Sequence, residues 1–176
     1  MSIRKIAKMG EPVLRKIAEE VPIEDIQKEH IQRLIQDMLE TVVDAEGAGL
    51  AAPQVFESKK IVILRFSSDE EFQVWINPKV TPTSETELLT FEGCLSVPEL
   101  RGVVPRPASV RVEAYNAFAE PFTLELEDYP AVVAQHECDH LEGILYIDRV
   151  IPQTMAFLKE YRRHQDELWK TLLDEE

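Results

Sequence analysis

Only six of the 176 residues are glycine and two are cysteine, and no stretch is apolar for long enough to span a bilayer. Two cysteines, Cys94 and Cys138, make at most one disulfide, which excludes a densely stapled secreted scaffold. In a cytoplasmic chain both are expected to stay reduced, open to metal binding or catalysis. Basic residues are also in the minority: 19 Lys and Arg face 33 Asp and Glu, a formal net charge of -14. A surface that acidic repels phosphate backbones and anionic lipids, so neither sequence-specific nucleic acid nor a membrane is expected as a partner. Near the N-terminus Arg4 and Lys5 are followed by Glu11 and Pro12 before any apolar run, which does not make a signal peptide. With no repeat, low-complexity run or linker, the reading is one domain over residues 1–176, in the cytoplasm.

What is present has helical and strand periodicity. Ile31, Leu34, Ile35, Met38, Leu39 and Val42 make one apolar stripe, predicting a helix from about Glu24 to Glu46 with Gly47 as its left-handed cap. Strands are predicted over Lys60 to Phe66, Gln73 to Ile76 (closed by Asn77-Pro78), Glu87 to Thr90, Ser109 to Tyr115 and Phe122 to Leu126. A second helix is predicted over Tyr129 to Glu142. A third opens at Pro152 and runs to about Leu173, with Met155, Leu158, Leu168 and Leu172 as apolar contacts. This order predicts an α+β fold: mostly antiparallel sheets packed around the second helix, with N-terminal and C-terminal helices.

The second helix carries the chemistry. His136-Glu137-Cys138-Asp139-His140 is an HExxH motif. Residues four apart lie one above the other on one helix face, so two imidazoles there can share an ion. Glu137 is rotated off that line, where a carboxylate can take a proton from a water acidified by the ion. HExxH also occurs on solvated helices. Here Val132, Val133 and Leu141 flank it, and buried histidines and carboxylates are costly unless paired or metal-bound. A catalytic site needs a third ligand. His30 and His164 read as solvated. Cys94, in Glu92-Gly93-Cys94-Leu95-Ser96, stands out because Gly93 permits close backbone approach, though a lone cysteine is also often a small buried hydrophobe. Cys138, two residues from His136, turns to the opposite face and reads as core. Spacing alone points to zinc.

Gly47-Ala48-Gly49-Leu50-Ala51-Ala52-Pro53-Gln54 follows a helix and lacks the Lys-Ser/Thr of a phosphate loop, so nucleotide binding is a weak reading. Together, GAGLAAPQ, EGCLS and QHECDHLEG resemble, in that order, the three signature motifs of the peptide deformylase family, in its compact bacterial type with a C-terminal helix. The resemblance runs from the first residues through LYIDRV. It implies a hydrolase that removes the formyl group from formyl-methionyl nascent peptides and releases formate. It implies Cys94, His136 and His140 as ligands of one divalent ion, natively Fe(2+), with Zn(2+), Ni(2+) or Co(2+) able to occupy the site. It also implies Glu137 as acid/base and the Gln54 amide and Leu95 N–H as oxyanion donors. For the substrate it implies Gly49, Ala48 and Glu92, then Tyr129, Val132 and Val133 around the methionine side chain, with Arg101 at the entrance. Glu46 and Arg106 read either as supporting charges or as ordinary surface ion pairs.

Three turn positions depart from many relatives: Phe56, Ala119 and Asp128 stand where glycine is common. Ala48 is smaller and Tyr129 larger than the residues common there, which implies a reshaped methionine pocket. Lys159, Arg162 and Arg163 give the tail local positive charge, and relatives dock on the ribosome through a C-terminal helix; Asp166, Glu167 and Asp174 to Glu176 dilute that charge. The competing readings are a zincin-like metalloprotease, which shares HExxH, and a non-enzymatic metal-binding module, which would need a fourth protein ligand.

Overall fold

A computed structural model describes the backbone of residues 2–173 and the side-chain surroundings through residue 170. The elements are α1 (Glu29–Asp44), β1 (Gly49–Ala51), β2 (Ile61–Leu64), β3 (Gln73–Pro82), β4 (Glu87–Cys94), β5 (Val97–Pro107), β6 (Ser109–Tyr115), β7 (Pro121–Glu127), α2 (Asp128–Asp139), β8 (Ala156–Phe157) and α3 (Leu158–Leu173), with short 3-10 turns before α1, after β1 and between α2 and β8. They form a five-stranded sheet in the order β1-β2-β3-β6-β7 and a three-stranded sheet in the order β4-β5-β8. Every pairing between these strands is antiparallel, as the α+β reading expects.

At β2 the larger sheet is covered on both faces, and the sequence of the strand shows why. Ile61-Val62-Ile63-Leu64 is a continuous apolar run, the pattern of a strand with no solvated face. Ile61 and Ile63 pack with Ile76 against the α1 stripe of Ile31, Leu34, Ile35, Met38 and Val42. Val62 and Leu64 pack with Trp75 against Ala131, Val133 and Ala134 of α2 and against Leu141. A third cluster joins Leu14, Cys94, Val97, Val104, Leu145 and Tyr146 beside the smaller sheet. Helix α2 contacts β1, β2, β3, β5, β6 and β7, so the HExxH segment meets both sheets.

Several boundaries differ from the sequence reading. The first helix begins at Glu29 after a separate 3-10 turn at Ile23–Asp25. It ends at Asp44, and the left-handed residue after it is Glu46 (φ 52), not Gly47. Asn77-Pro78 does not close β3; it makes a bulge between Ile76 and Lys79, and the strand runs on to Pro82. Asn77 tolerates its φ of 51, and its side chain bonds both backbone groups of Val21, at 2.9 and 2.8 Å. In strand β5, Pro98, Pro105 and Pro107 break the propensity pattern that would predict it, yet it pairs with β4 from Cys94↔Val97 to Glu87↔Pro107. The predicted helix from Pro152 is a 3-10 turn, then β8, then α3, which is broken at His164 (φ -128, ψ 15). The expected contact of Leu172 lies outside the described side chains, and Asp174 to Glu176 lie outside the described residues. Phe56, Ala119 and Asp128 keep glycine-like turns with φ of 66, 63 and 55.

Candidate metal centre

Residues from three separate segments converge beneath one cleft of about 480 Å³. Strand β4 ends at Cys94, and Cys94↔Val97 closes a two-residue turn through Leu95 and Ser96. The register slips between Glu92 and Cys94. A side chain at Gly93 would displace the Arg101 guanidinium, which packs over that glycine. Helix α2 brings His136 and the following 3-10 turn brings His140. The ligand-capable atoms of Cys94, His136 and His140 lie within 4.8 Å of one another, the one such group of three or more among the described residues. Cys94 Sγ is 3.3 Å from His140 Nε2. Two ligands of one tetrahedral ion sit about 3–4 Å apart.

The electrostatics agree with a ligand set. Burial alone would raise the Cys94 thiol, but His140 and His136 beside it hold it well below the ordinary thiol value. The thiolate is the form that binds metal. Sγ also accepts hydrogen bonds from the Ser96 N–H (3.4 Å) and Gln54 Nε2 (3.5 Å). Burial raises the Glu137 carboxyl above its usual value, and its Oε2 is buried with no hydrogen-bond partner. His140 Nδ1 is likewise buried and unpartnered. The orphaned carboxylate oxygen of Glu137 beside a thiolate and two imidazoles fits a site that takes a cation and a water.

Behind the histidines lies a network in which Arg106 takes the supporting-charge role that was one of its two readings, with Glu92 and Asp139 as partners the sequence did not give it. Glu92 Oε2 is 2.7 Å from His136 Nδ1, and its carboxylate is gripped by Arg106 Nε (2.5 Å) and Nη2 (3.0 Å). Arg106 Nη1 donates to Asp139 Oδ2 at 2.9 Å, and Arg149 donates to both oxygens of Asp139, at 2.8 and 2.9 Å. Burial works to raise the Glu92 carboxyl, but His136 and Arg106 outweigh it and hold it below the usual range. Arg106 is 2% exposed, so its contact with Glu92 is no surface pair. The expected substrate contact of Glu92 is qualified in the same way: the residue borders the cleft, but its carboxylate is turned to His136 and Arg106. Nothing local in the sequence signals this, because Arg106 sits in a proline-rich stretch without periodicity.

The remaining expected residues share the cleft. Gln54, Leu95, Gly49, Ala48, Arg101, Tyr129, Val132, Val133 and Glu137 all line it, with His136 and Cys94, while His140 is buried below. Glu46 lines it too, exposed at the rim. Gln54 Oε1 accepts from the Ala51 N–H at 2.8 Å and its Nε2 donates to Ser96 Oγ at 3.0 Å, which fixes the amide nitrogen beside Cys94. Gly49 packs so closely on Glu137 that a Cβ there would overlap the carboxylate. Lys8, Phe91, Pro98 and Leu158 also line the cleft and were not anticipated as site residues. Cys138 is half-buried and not a ligand; it borders a separate cavity of about 510 Å³ with Arg106 and Asp139, and burial pushes its thiol far up. His30 and His164 are exposed.

Comparison with known proteins gives the family. Residues 3–156 match the polypeptide deformylase family. A peptide deformylase of Leptospira biflexa is 42% identical over 159 residues, covering 85% of this chain and 89% of that one. One from Natranaerobius thermophilus is 43% identical over 149 residues, covering 85% and 93%. Among solved structures, the Met-Ala-Ser-bound class I type b enzyme of Acinetobacter baumannii superposes with a TM-score of 0.80 at 34% identity, covering 84% of this chain and 98% of that one. The Thermotoga maritima enzyme gives 0.78 at 36% identity, covering 84% and 97%. The chain belongs to the peptide deformylase family.

Proposed function

We infer that this chain, acting as one domain in the cytoplasm, hydrolyses the formyl–nitrogen bond of formyl-methionyl peptides and releases formate and a free N-terminal amine. The observation that carries the reading is the convergence of Cys94, His136 and His140 beside the unpartnered Glu137 Oε2, in a cleft lined by all three motif segments. The three residues would hold one divalent ion, natively Fe(2+), with Zn(2+), Ni(2+) or Co(2+) as substitutes; one thiolate with two imidazoles suits all four. Such an ion supplies Lewis acidity, lowering the pKa of a water and polarising a carbonyl.

The protein's own groups do the rest. Glu137, with its raised carboxyl, takes a proton from the attacking water and delivers it to the leaving nitrogen. Gln54 Nε2 and the Leu95 N–H donate to the formyl oxygen as it gains charge. Glu92 holds His136 in one orientation through Nδ1, leaving Nε2 for the ion. Strand β1 is an edge of one sheet and β4 an edge of the other, and both border the cleft. An extended peptide can therefore add as a strand there. Val132 and Val133 take the methionine side chain, and the Ala48 and Tyr129 exchange reshapes that pocket. Turnover of formyl-Met against formyl-norleucine and formyl-Phe peptides tests the reshaping; the preference order of a typical deformylase would refute it.

The deciding experiment is anaerobic turnover of formyl-Met-Ala-Ser with Fe(2+) and Zn(2+) forms, detecting formate. Glu137→Gln is expected to keep one ion per chain and lose about 10²–10⁴-fold in turnover. Cleavage of casein without formate release would favour a protease instead. The reading of α3 as a ribosome contact is supported by exposed Lys159, Arg162 and Arg163, and opposed by the pairing of Arg163 with Glu160. Ribosome pelleting of a variant with those three cations reversed to Glu decides it.

A further inference from the structure

The C-terminal segment does not leave the body of the enzyme. Strand β8 pairs with β5 through Leu100↔Phe157 and Arg101↔Ala156, and α3 starts at the next residue. That residue, Leu158, lines the cleft that also holds His136 and Glu137. Phe91 of β4 lines it as well, and α3 grips the Phe91 ring from two positions: Tyr161 at 4.8 Å and Trp169, edge-on, at 5.0 Å. Two residues eight apart on a straight helix are separated by about 12 Å along its axis. The break at His164 lies between them and lets both rings close on one partner.

Strand geometry tells what this wall faces. Successive side chains of β4 point to opposite faces. Glu92 points to α2, where it holds His136; Phe91 points to the other face, where α3 covers it. Helices α2 and α3 therefore flank opposite faces of β4. A peptide added along this edge alternates in the same way. With its methionine turned to Val132 and Val133 on α2, its next side chain turns to the α3 face. Leu158, Tyr161 and Trp169 lie beyond residue 156, where the match to the family model ends.

We propose that β8 and α3 form the outer wall of the substrate cleft, and that Leu158, backed by the Phe91–Tyr161–Trp169 cluster, selects for an apolar side chain in the residue directly after the formyl-methionine. This rests on the deformylase reading of the same site. The test is the ratio of kcat/KM for formyl-Met-Leu-Ser over formyl-Met-Ala-Ser in the metal-loaded full chain, with thermal melting and metal content measured alongside. The wild type should favour the leucine peptide about tenfold, expressed in KM. Leu158→Ala should bring the ratio close to one. Trp169→Ala, which removes a support not itself lining the cleft, should erode the same ratio, and it decides the matter alone if Leu158→Ala fails to fold. An unchanged ratio in the folded variants overturns the proposal. So does an equal loss on both peptides with a lowered melting temperature, which marks a purely structural role. No formate from either peptide with the wild type would instead bring down the deformylase reading; formate release with a flat ratio brings down the wall alone.

Discussion

The carboxylate of Glu92 and the imidazole of His136 meet at 2.7 Å, 44 residues apart in the chain, and Arg106 holds the same carboxylate from behind. This contact fixes which imidazole nitrogen is free for the ion. Glu92→Gln keeps the shape but loses the charge, and metal retention is expected to fall about 10–100-fold in a chelator competition assay. Arg106→Leu leaves the buried Glu92 carboxylate without its cation, while Asp139 keeps Arg149. The cost is expected to be about 3–5 kcal/mol in denaturant unfolding.

Gly49 is required by space. A methyl group at that position overlaps the Glu137 carboxylate, so Gly49→Ala must push the acid/base out of place. A misplacement of that kind costs about 10²-fold in kcat. Metal content should be unchanged, because Cys94, His136 and His140 are untouched. Activity within twofold of the wild type would show that Glu137 is placed by something other than this contact.

Asp148 ties the turn after α2 to the N-terminal segment through Arg15, and accepts the Leu145 N–H at 2.8 Å. Burial works to raise its carboxyl, but Arg15 and the Leu145 N–H outweigh it and lower the folded-state pKa. A lowered carboxylate contributes stability that is present above its unfolded value and lost as pH falls through its folded value. Melting temperatures of the wild type and Asp148→Asn should therefore differ at neutral pH and converge as the pH drops below the ordinary carboxylate range. A gap that stays constant down to acid pH would contradict this.

Ala119 sits at φ 63 in a turn built by Asn116, whose Oδ1 accepts from the N–H groups of Phe118 (2.9 Å) and Glu120 (3.0 Å). That side chain enforces the turn without glycine, at the cost of a left-handed alanine. Ala119→Gly is expected to relieve about 1–2 kcal/mol of strain and give back part of it as chain entropy. The net expectation is a gain of about 0.5–1 kcal/mol in chemical unfolding.

The sequence by itself determined the chemistry and the local elements. Residues four apart in a helical stretch share a face, so His136 on α2 and His140 at its C-cap were legible from spacing as candidate ligands. The α1 stripe and the alternation of Val110, Val112 and Ala114 in β6 were legible for the same reason: each period is a property of a few neighbouring residues. Tertiary structure decided what depends on pairing at a distance. Strand β5 exists because β4 pairs with it despite three prolines. The Glu92 carboxylate meets His136 because Arg106 anchors it from β5. The tail becomes a wall of the cleft because β8 joins β5 and the break at His164 lets Tyr161 and Trp169 close on Phe91. A local pattern can specify a helix face or a strand period, but a buried charge or an unpaired sheet edge finds its partner only once the chain has folded.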